Sequence, residues 1–393
     1  MALSYFDKAI IFLLPLVVLF FFKDKTVYVS IEYIYSITVV IIPLIDLGLS
    51  GYFLYAYRNS INREKSVNIF VNVFQRIYIF LFILGAAILI INYSLVEFNE
   101  FLLFIISRLL FVLATVFLAS YFRLTNNPEK AVYITILSNI LSLAFLVLYF
   151  LFDIEFSMWL IFFGQIIFAV GYFFKSLIDV FFLNGKVSKL SVKAVIKQSL
   201  IFSWPSIIQV FIMMYIVNYG KINVLTKMTL DDGVLLSLVQ RLSMVIFLTH
   251  SSIWAFLIKD VYIEKNLFII KRSIVYKYLV FLTLALMVIT IVAGVYIFYN
   301  YTYFTRVSLI SILIIGQVFF ACIYNYLELY YGRENKNIIK LYLALFSASV
   351  FIILITFLKI DFLERFSISV FVSTFASLLL SIFILYKRNY KVV

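Results

Sequence analysis

Apolar runs of about 20 residues recur along the whole chain, and each is long enough to cross the hydrocarbon core of a bilayer as a helix. Of the 393 residues, 65% are hydrophobic and only 13% are charged. Soluble domains, in contrast, carry about a quarter charged residues. The sequence therefore predicts an all-α polytopic membrane protein.

The apolar runs divide into twelve predicted transmembrane helices. The first six are predicted at residues 4–22, 27–57, 68–92, 98–122, 129–152 and 157–183, and the second six at 198–225, 234–258, 273–298, 303–330, 337–358 and 365–386. The second helix is too long for one straight span and contains Pro43, so part of it is expected to tilt, kink or leave the membrane. The first has no small-residue cleavage pattern after it and is interpreted as a retained span.

Positive charge is distributed unevenly between the two sides of the membrane in this predicted topology. With a cytoplasmic N-terminus, the inner segments hold 21 of the 32 Lys and Arg residues and the outer segments hold six. Short cytoplasmic loops carry such an excess, so both termini are predicted to be cytoplasmic. Most of the net charge of +13 then reflects topology. No nucleic-acid partner is expected, because the chain has no soluble basic face with aromatic platforms.

The segment 184–197 separates two predicted halves, residues 1–183 and 198–393. It contains four lysines at offsets of three and four, Lys186, Lys189, Lys193 and Lys197. These offsets place them on one helical face, which predicts an amphipathic linker helix on the cytoplasmic membrane surface. Two six-helix halves of equal orientation predict a pseudo-two-fold axis along the membrane normal, as in a V-shaped transporter with a central cavity.

Several enzyme and metal-site classes lack the residues they need. The chain has one cysteine, Cys322, and one histidine, His250, so neither an intrachain disulfide nor a histidine-rich metal site is expected. A Ser-His-Asp hydrolase is disfavoured for the same reason. No phosphate-binding P-loop motif occurs. No catalytic residue, metal or cofactor is therefore predicted.

Ionisable residues inside the predicted spans are functional candidates, because a charge at the bilayer centre costs at least about 2.5–3.5 kcal/mol. The deepest cations are Arg108, Arg241 and Arg76. Three other charged residues each lie near an end of their own span: Lys221, Glu32 and Glu328. Lys175 and Asp179 are one helical turn apart and are predicted to pair structurally. Asp179 is also an ion-coupling candidate.

Asp46 is the one deep acid without an evident neighbour, and it lies just after Pro43. Two interpretations remain open for it: it satisfies backbone groups loosened by the proline or pairs with an arginine, or it binds a proton or cation during transport. Because three deep arginines outnumber the one deep acid without a neighbour, the sequence predicts a positively charged cavity that binds an anionic cargo. The planar guanidinium of arginine suits phosphate oxygens, so Arg108, Arg241, Arg76 and Lys221 are the predicted diphosphate-binding residues.

Three stretches carry a family resemblance: "PLIDLGLSGYFLYAYRN" (43–59), "YFRLTNNPEKAVYITILSNI" (121–140) and "WPSIIQVFIMMYIVNYGKINVLTKMTLDDGVLLSLVQRLSMVI" (204–246). They resemble the Wzx-type O-antigen flippases of the multidrug/oligosaccharidyl-lipid/polysaccharide exporter superfamily. The resemblance covers nearly the whole chain in topology. It departs near the end of the seventh span, where Asn218 and Lys221 replace the Asp-Arg or Asp-Lys that we expect from the family.

The resemblance implies a function and a location. The cargo would be an oligosaccharide on undecaprenyl pyrophosphate, moved from the cytoplasmic to the periplasmic face of a bacterial inner membrane by alternating access. Coupling to a proton or sodium gradient is expected, with Asp46 as the first candidate. The expected protein is a monomer that works beside a polysaccharide polymerase and a chain-length regulator.

Two other functions compete with this one. O-antigen polymerases have a similar size and composition, but they resemble one another in having a large periplasmic loop that bears arginines. Here all outer loops are short. A multidrug antiporter of the same superfamily is the second alternative, although organic cations favour a cavity with more acids than arginines.

Overall fold

The described part of the chain is almost entirely helical in the computed structural model, and it contains no β-strand. It comprises residues 12–50, 52–53, 56, 63–95, 99–124, 158–183, 189–263, 272–300, 303–333 and 336–389, with single positions between 130 and 152. Ten helices within it are long and apolar enough to span a membrane. They are α1 (Lys25–Ile45), α2 (Arg63–Leu95), α3 (Glu100–Leu124), α4 (Trp159–Ile178), α5 (Lys189–Ile222), α6 (Leu230–Ile263), α7 (Arg272–Asn300), α8 (Phe304–Arg333), α9 (Asn337–Phe357) and α10 (Phe362–Asn389).

These helices confirm ten of the twelve predicted spans as helical. The first predicted span is described only from residue 12, and residues 12–20 are helical. The fifth, 129–152, lies mostly outside the described residues. From Lys189 onward, the predicted surface linker forms the beginning of α5 and continues without interruption into the seventh span.

The chain forms two compact units, an N-terminal unit (Met1–Ile207) and a C-terminal unit (Ile208–Val393). The division falls inside α5, so this helix contributes its first part to one unit and its last part to the other. The core of the N-terminal unit is built from aromatic rings on α2, α3 and α4. Phe74 and Phe117 stack with their ring centroids 3.8 Å apart, and Tyr78 meets Tyr172 edge to face.

In the C-terminal unit, α10 packs between α8 and α9 through a face of small hydroxyl residues. This face is fully buried and comprises Ser367, Ser373, Thr374, Ser377 and Ser381. Small residues allow membrane helices to approach closely, and their hydroxyls return to backbone carbonyls of their own helix. Ser367, for example, donates to the carbonyl of Leu363. Close helix packing, rather than large apolar side chains, therefore organises this part of the unit.

The overlong second predicted span breaks at Asp46–Gly48. Helix α1 ends at Ile45, and the backbone then turns through left-handed conformations at Leu47 (φ 50°) and Gly48 (φ 67°). Asp46 is the C-cap of α1, and helix resumes at Leu49. The Asp46 carboxylate holds the start of this next segment, because it accepts hydrogen bonds from the Ser50 hydroxyl (2.7 Å) and the Ser50 amide (3.3 Å). The break lies after Pro43, which remains inside α1.

Two serines of α5 donate to carbonyl groups at this break, and one of these carbonyls, that of Gly48, also accepts from the Tyr52 amide at 2.9 Å. Ser199 donates from Oγ to the Leu47 carbonyl oxygen at 3.0 Å, and Ser203 donates to the Gly48 carbonyl oxygen at 3.2 Å. A backbone carbonyl without a partner is costly in a lipid environment. The pair of serines, one turn apart on α5, therefore fixes the broken helix to α5.

Ion pairs and hydrogen bonds join helix ends that the sequence assigns to the same, outer side. In the C-terminal unit, Arg306 lies 2.7 Å from both Asp361 and Glu364 and 4.0 Å from Asp232. In the N-terminal unit, the Trp159 indole donates to Glu100 at 3.1 Å. The helices thus alternate in direction as predicted, while the identity of the outer side stays a prediction.

Replacing Gly48 by alanine should destabilise the N-terminal unit. A Cβ atom at this position would lie 2.2 Å from the Ser203 Cβ atom, and the positive φ disfavours any L side chain. Left-handed strain and overpacking together predict a loss of about 2–4 kcal/mol in the free energy of unfolding, measured by denaturant titration in detergent micelles. Gly294→Ala is the matched control, because its Cβ would meet nothing within 4 Å; equal unfolding midpoints for the two variants would contradict the interpretation.

Candidate functional site

Arg108 lies on α3 and stacks against a tyrosine of α1. Its Cζ atom is 3.8 Å from the centroid of the Tyr35 ring. A guanidinium over an aromatic face gains cation–π attraction, which grows when the pair is shielded from water. The N–H groups that bind phosphate or carboxylate oxygens are located on the edge of a guanidinium.

An aromatic cluster surrounds this arginine where α1, α3 and α4 meet. Tyr35 contacts Phe162 edge to face, Phe162 stacks on Phe104, and Phe104 contacts Trp159. The acid Glu32 is buried one turn before Tyr35 on the same helix. The arrangement is a stacked, membrane-embedded guanidinium in an aromatic environment, which suits an anionic group that carries flat or apolar portions.

Arg76 occupies a different position and has different neighbours. Its Nε donates to the side chain of Asn72 one turn earlier on α2, at 2.8 Å. Gly85 of α2 packs against Ile106 of α3, which sets the register of these antiparallel helices. At about 1.5 Å per residue, Arg76 and Arg108 then lie about 10 Å apart along the helix axes. The structure does not bring these two predicted ligands together.

Arg241 and Lys221 both belong to the C-terminal unit and are buried, at 3% and 7% exposure. Helices α5 and α6 carry them, and these helices are joined by a hydrogen bond from the Gln240 side chain to the Val217 carbonyl at 3.1 Å. Arg241 follows Gln240 directly, and Lys221 lies one turn after Val217. The same helix pair therefore positions both cations.

Asp179 lies in a polar cluster at the end of α4. Its Oδ2 atom accepts from Lys175 Nζ at 2.7 Å and from Gln75 Nε2 at 2.6 Å. It also begins a π-helical turn, Asp179–Leu183, a feature often found at functional sites. Together with aromatic side chains, the three polar residues line a cavity of about 630 Å³ between α2, α3 and α4.

The structure contains a charged cluster that the sequence does not predict. Glu328 of α8 accepts a hydrogen bond from Gln209 of α5 at 2.9 Å and interacts electrostatically with Lys340 of α9. Lys340 is one of the cations counted on the inner side, yet the predicted eleventh span already contains it; in the structure it lies in the first turn of α9 and is half-buried. All three residues belong to the C-terminal unit. No sequence signal indicates the partner of this lysine.

The single histidine has a structural environment. His250 Nδ1 lies 2.7 Å from the Tyr278 hydroxyl, and this hydroxyl donates to the Cys322 carbonyl oxygen at 3.1 Å. The three residues are buried in the core of the C-terminal unit. Within the described residues, no group of three or more His, Cys, Asp and Glu side chains is arranged to hold a metal ion.

The fold matches that of solved membrane transporters at low sequence identity. An outward-facing multidrug-resistance MATE-family transporter of the MOP superfamily aligns with 99% of this chain and 92% of its own, at 13% identity and a TM-score of 0.56. The chain has the MATE transporter fold. The eukaryotic MATE transporter AtDTX14 aligns with 98% of the chain and 94% of its own, at 13% identity and a TM-score of 0.54.

An inward-facing MATE-family transporter of the same superfamily also aligns, over 94% of the chain and 92% of its own, at 14% identity and a TM-score of 0.52. No family model and no curated protein matches the sequence. Since the resemblance noted above is to flippases of this superfamily, the shared fold agrees with the predicted superfamily. It does not distinguish a flippase from a multidrug transporter.

A double-mutant cycle should detect the coupling between Glu328 and Lys340. Replacing either residue by glutamine leaves the other charge inside the helix bundle, so each single variant should lower the free energy of unfolding by about 1–3 kcal/mol. The double variant should be more stable than the sum of the single changes by about 1–2 kcal/mol, as measured by denaturant titration in micelles. Strictly additive losses would show that the two charges do not interact.

Proposed function

We propose that the protein is a flippase for an anionic, lipid-linked oligosaccharide, with undecaprenyl pyrophosphate as the carrier. The main support is the balance of charges inside the membrane. Three of the four acids that the sequence places inside the spans, Asp46, Asp179 and Glu328, are held by neighbouring side chains: Ser50, Gln75 with Lys175, and Gln209. The fourth, Glu32, is buried one turn before Tyr35. These acids are therefore engaged within the helix bundle, which disfavours a cationic cargo.

In this proposal, Arg108, Arg241 and Lys221 bind the diphosphate, and the MATE fold supplies alternating access. Charge-assisted hydrogen bonds from these cations would replace the water around the head group. The Tyr35–Arg108 stack would also offer an aromatic face to a sugar ring. The lipid tail would remain in the hydrocarbon throughout.

Coupling to a proton or sodium gradient is part of the proposal. Asp179 is better placed for it than Asp46, because Asp179 lines a cavity while the Asp46 carboxylate holds the start of a helical segment. The expected setting is a bacterial inner membrane with both termini in the cytoplasm. A polysaccharide polymerase and a chain-length regulator are the proposed neighbours of the monomer.

The multidrug antiporter is the second candidate, because the solved structures that share the fold include multidrug transporters. It would bind organic cations and would need acids that are available to the cargo. The polymerase alternative lacks comparable support, since the outer connections between described helices are short, as at Leu358–Asp361 between α9 and α10.

Complementation of a flippase-null bacterial strain tests the proposal. Wild type should restore surface polysaccharide, and Arg108→Ala should reduce translocation about 10–100-fold, the effect of losing one or two charge-assisted hydrogen bonds. Tyr35→Phe is the matched control, because it keeps the ring on which the guanidinium stacks and should retain translocation.

Two outcomes would contradict the proposal in different ways. If wild type is expressed with a matching sugar unit and translocation stays blocked, the flippase function is wrong, and extrusion of organic cations becomes the next assay. If Arg108→Ala translocates at the wild-type rate, the cargo does not use this arginine.

A further inference from the structure

A groove between α2 and the first turns of α5 is lined by three cations. Arg76 comes from α2, and Lys193 and Lys197 lie one turn apart on α5. The remaining lining residues are apolar: Val192, Ile196, Leu200 and Ile201. The groove has a volume of about 640 Å³, and no acidic residue lines it within the described part of the chain.

The cations are arranged to hold one anionic group. The hydrogen bond from Arg76 Nε to Asn72, whose side chain is fully buried, fixes the orientation of the guanidinium. Lys193 and Lys197 are exposed and have freedom to adjust to a ligand.

The apolar part of the groove continues from the cations along α5. Leu200 and Ile201, about one turn after Lys197, are 37% and 64% exposed. A ligand with a phosphate at one end and a hydrocarbon chain at the other would match this order of charged and apolar residues. Inorganic phosphate would leave the apolar part uncovered, so a lipid fits the groove better.

We propose that this groove binds an anionic phospholipid of the surrounding leaflet. The head-group phosphate contacts Arg76, Lys193 and Lys197, and an acyl chain lies along Leu200 and Ile201. Basic pockets between transmembrane helices bind anionic head groups in this manner. Such a lipid would link the beginning of α5 to α2, independently of what the protein transports.

Lipid binding to the full-length protein in mild detergent tests this site. The probes are phosphatidylglycerol and phosphatidylcholine with identical acyl chains, measured by native mass spectrometry and by the thermal unfolding midpoint. Phosphatidylglycerol should bind and raise the midpoint, and phosphatidylcholine should not. The variant Lys193→Gln/Lys197→Gln should weaken phosphatidylglycerol binding about 25-fold, since each surface charge contributes about fivefold.

The matched control is Lys130→Gln/Lys277→Gln, which removes the same charge from exposed lysines outside the groove. It should leave phosphatidylglycerol binding within about twofold. Equal weakening in both double variants would overturn the proposal, because it would indicate a general charge effect. Equal binding of the two phospholipids would overturn it as well.

Two further probes separate other sources of phosphate. Inorganic pyrophosphate should neither raise the unfolding midpoint nor displace phosphatidylglycerol; if it does both, the groove is a site for a free anion. A short-chain polyprenyl diphosphate has the same order of charge and hydrocarbon, so it should at most compete with phosphatidylglycerol for the groove. If it binds this groove and phosphatidylglycerol does not, the groove is a cargo site and the proposal fails.

Discussion

The fold depends on the need to pair backbone polar groups without help from lipid. Straight helices meet this need locally, but the break at Asp46–Gly48 cannot. There, Asp46 accepts from Ser50, Ser199 of α5 donates to the Leu47 carbonyl, and Ser203 adds a second hydrogen bond to the Gly48 carbonyl, which also accepts from the Tyr52 amide. The broken helix and α5 are therefore one structural element, and the hydroxyls of α10 show the same use of small polar residues in the C-terminal unit.

Charges inside the two units are held by similar groups. Asp179 in the N-terminal unit accepts from a glutamine of another helix and pairs with a lysine one turn away on its own helix. Glu328 in the C-terminal unit also accepts from a glutamine of another helix and interacts with a lysine of a third helix. In both cases an amide orients the carboxylate and a cation balances it. Such clusters stabilise a helix bundle and also provide carboxylates that a coupling ion could occupy.

Hydropathy alone predicts the spans, because the length of an apolar run is a local property. The length of the second span and Pro43 predict that the span is interrupted. The position of the break, however, depends on serines about 150 residues away in the sequence. The separation of Arg76 from Arg108 depends on the register of α2 against α3, which sequence reasoning does not fix. The partner of Lys340 is also not predictable from the sequence, since only the packing of α9 near α8 places this lysine beside Glu328.

The break in the first described helix also has a consequence for biogenesis. Ser199 and Ser203 are synthesised 152 and 155 residues after the carbonyls to which they donate. At roughly 5–20 residues per second, translation takes on the order of 10–30 s to reach them. During that interval the Leu47 carbonyl lacks its serine donor, whereas the Gly48 carbonyl can still accept from the Tyr52 amide. The contacts that hold the break against α5 therefore form only after α5 has been synthesised.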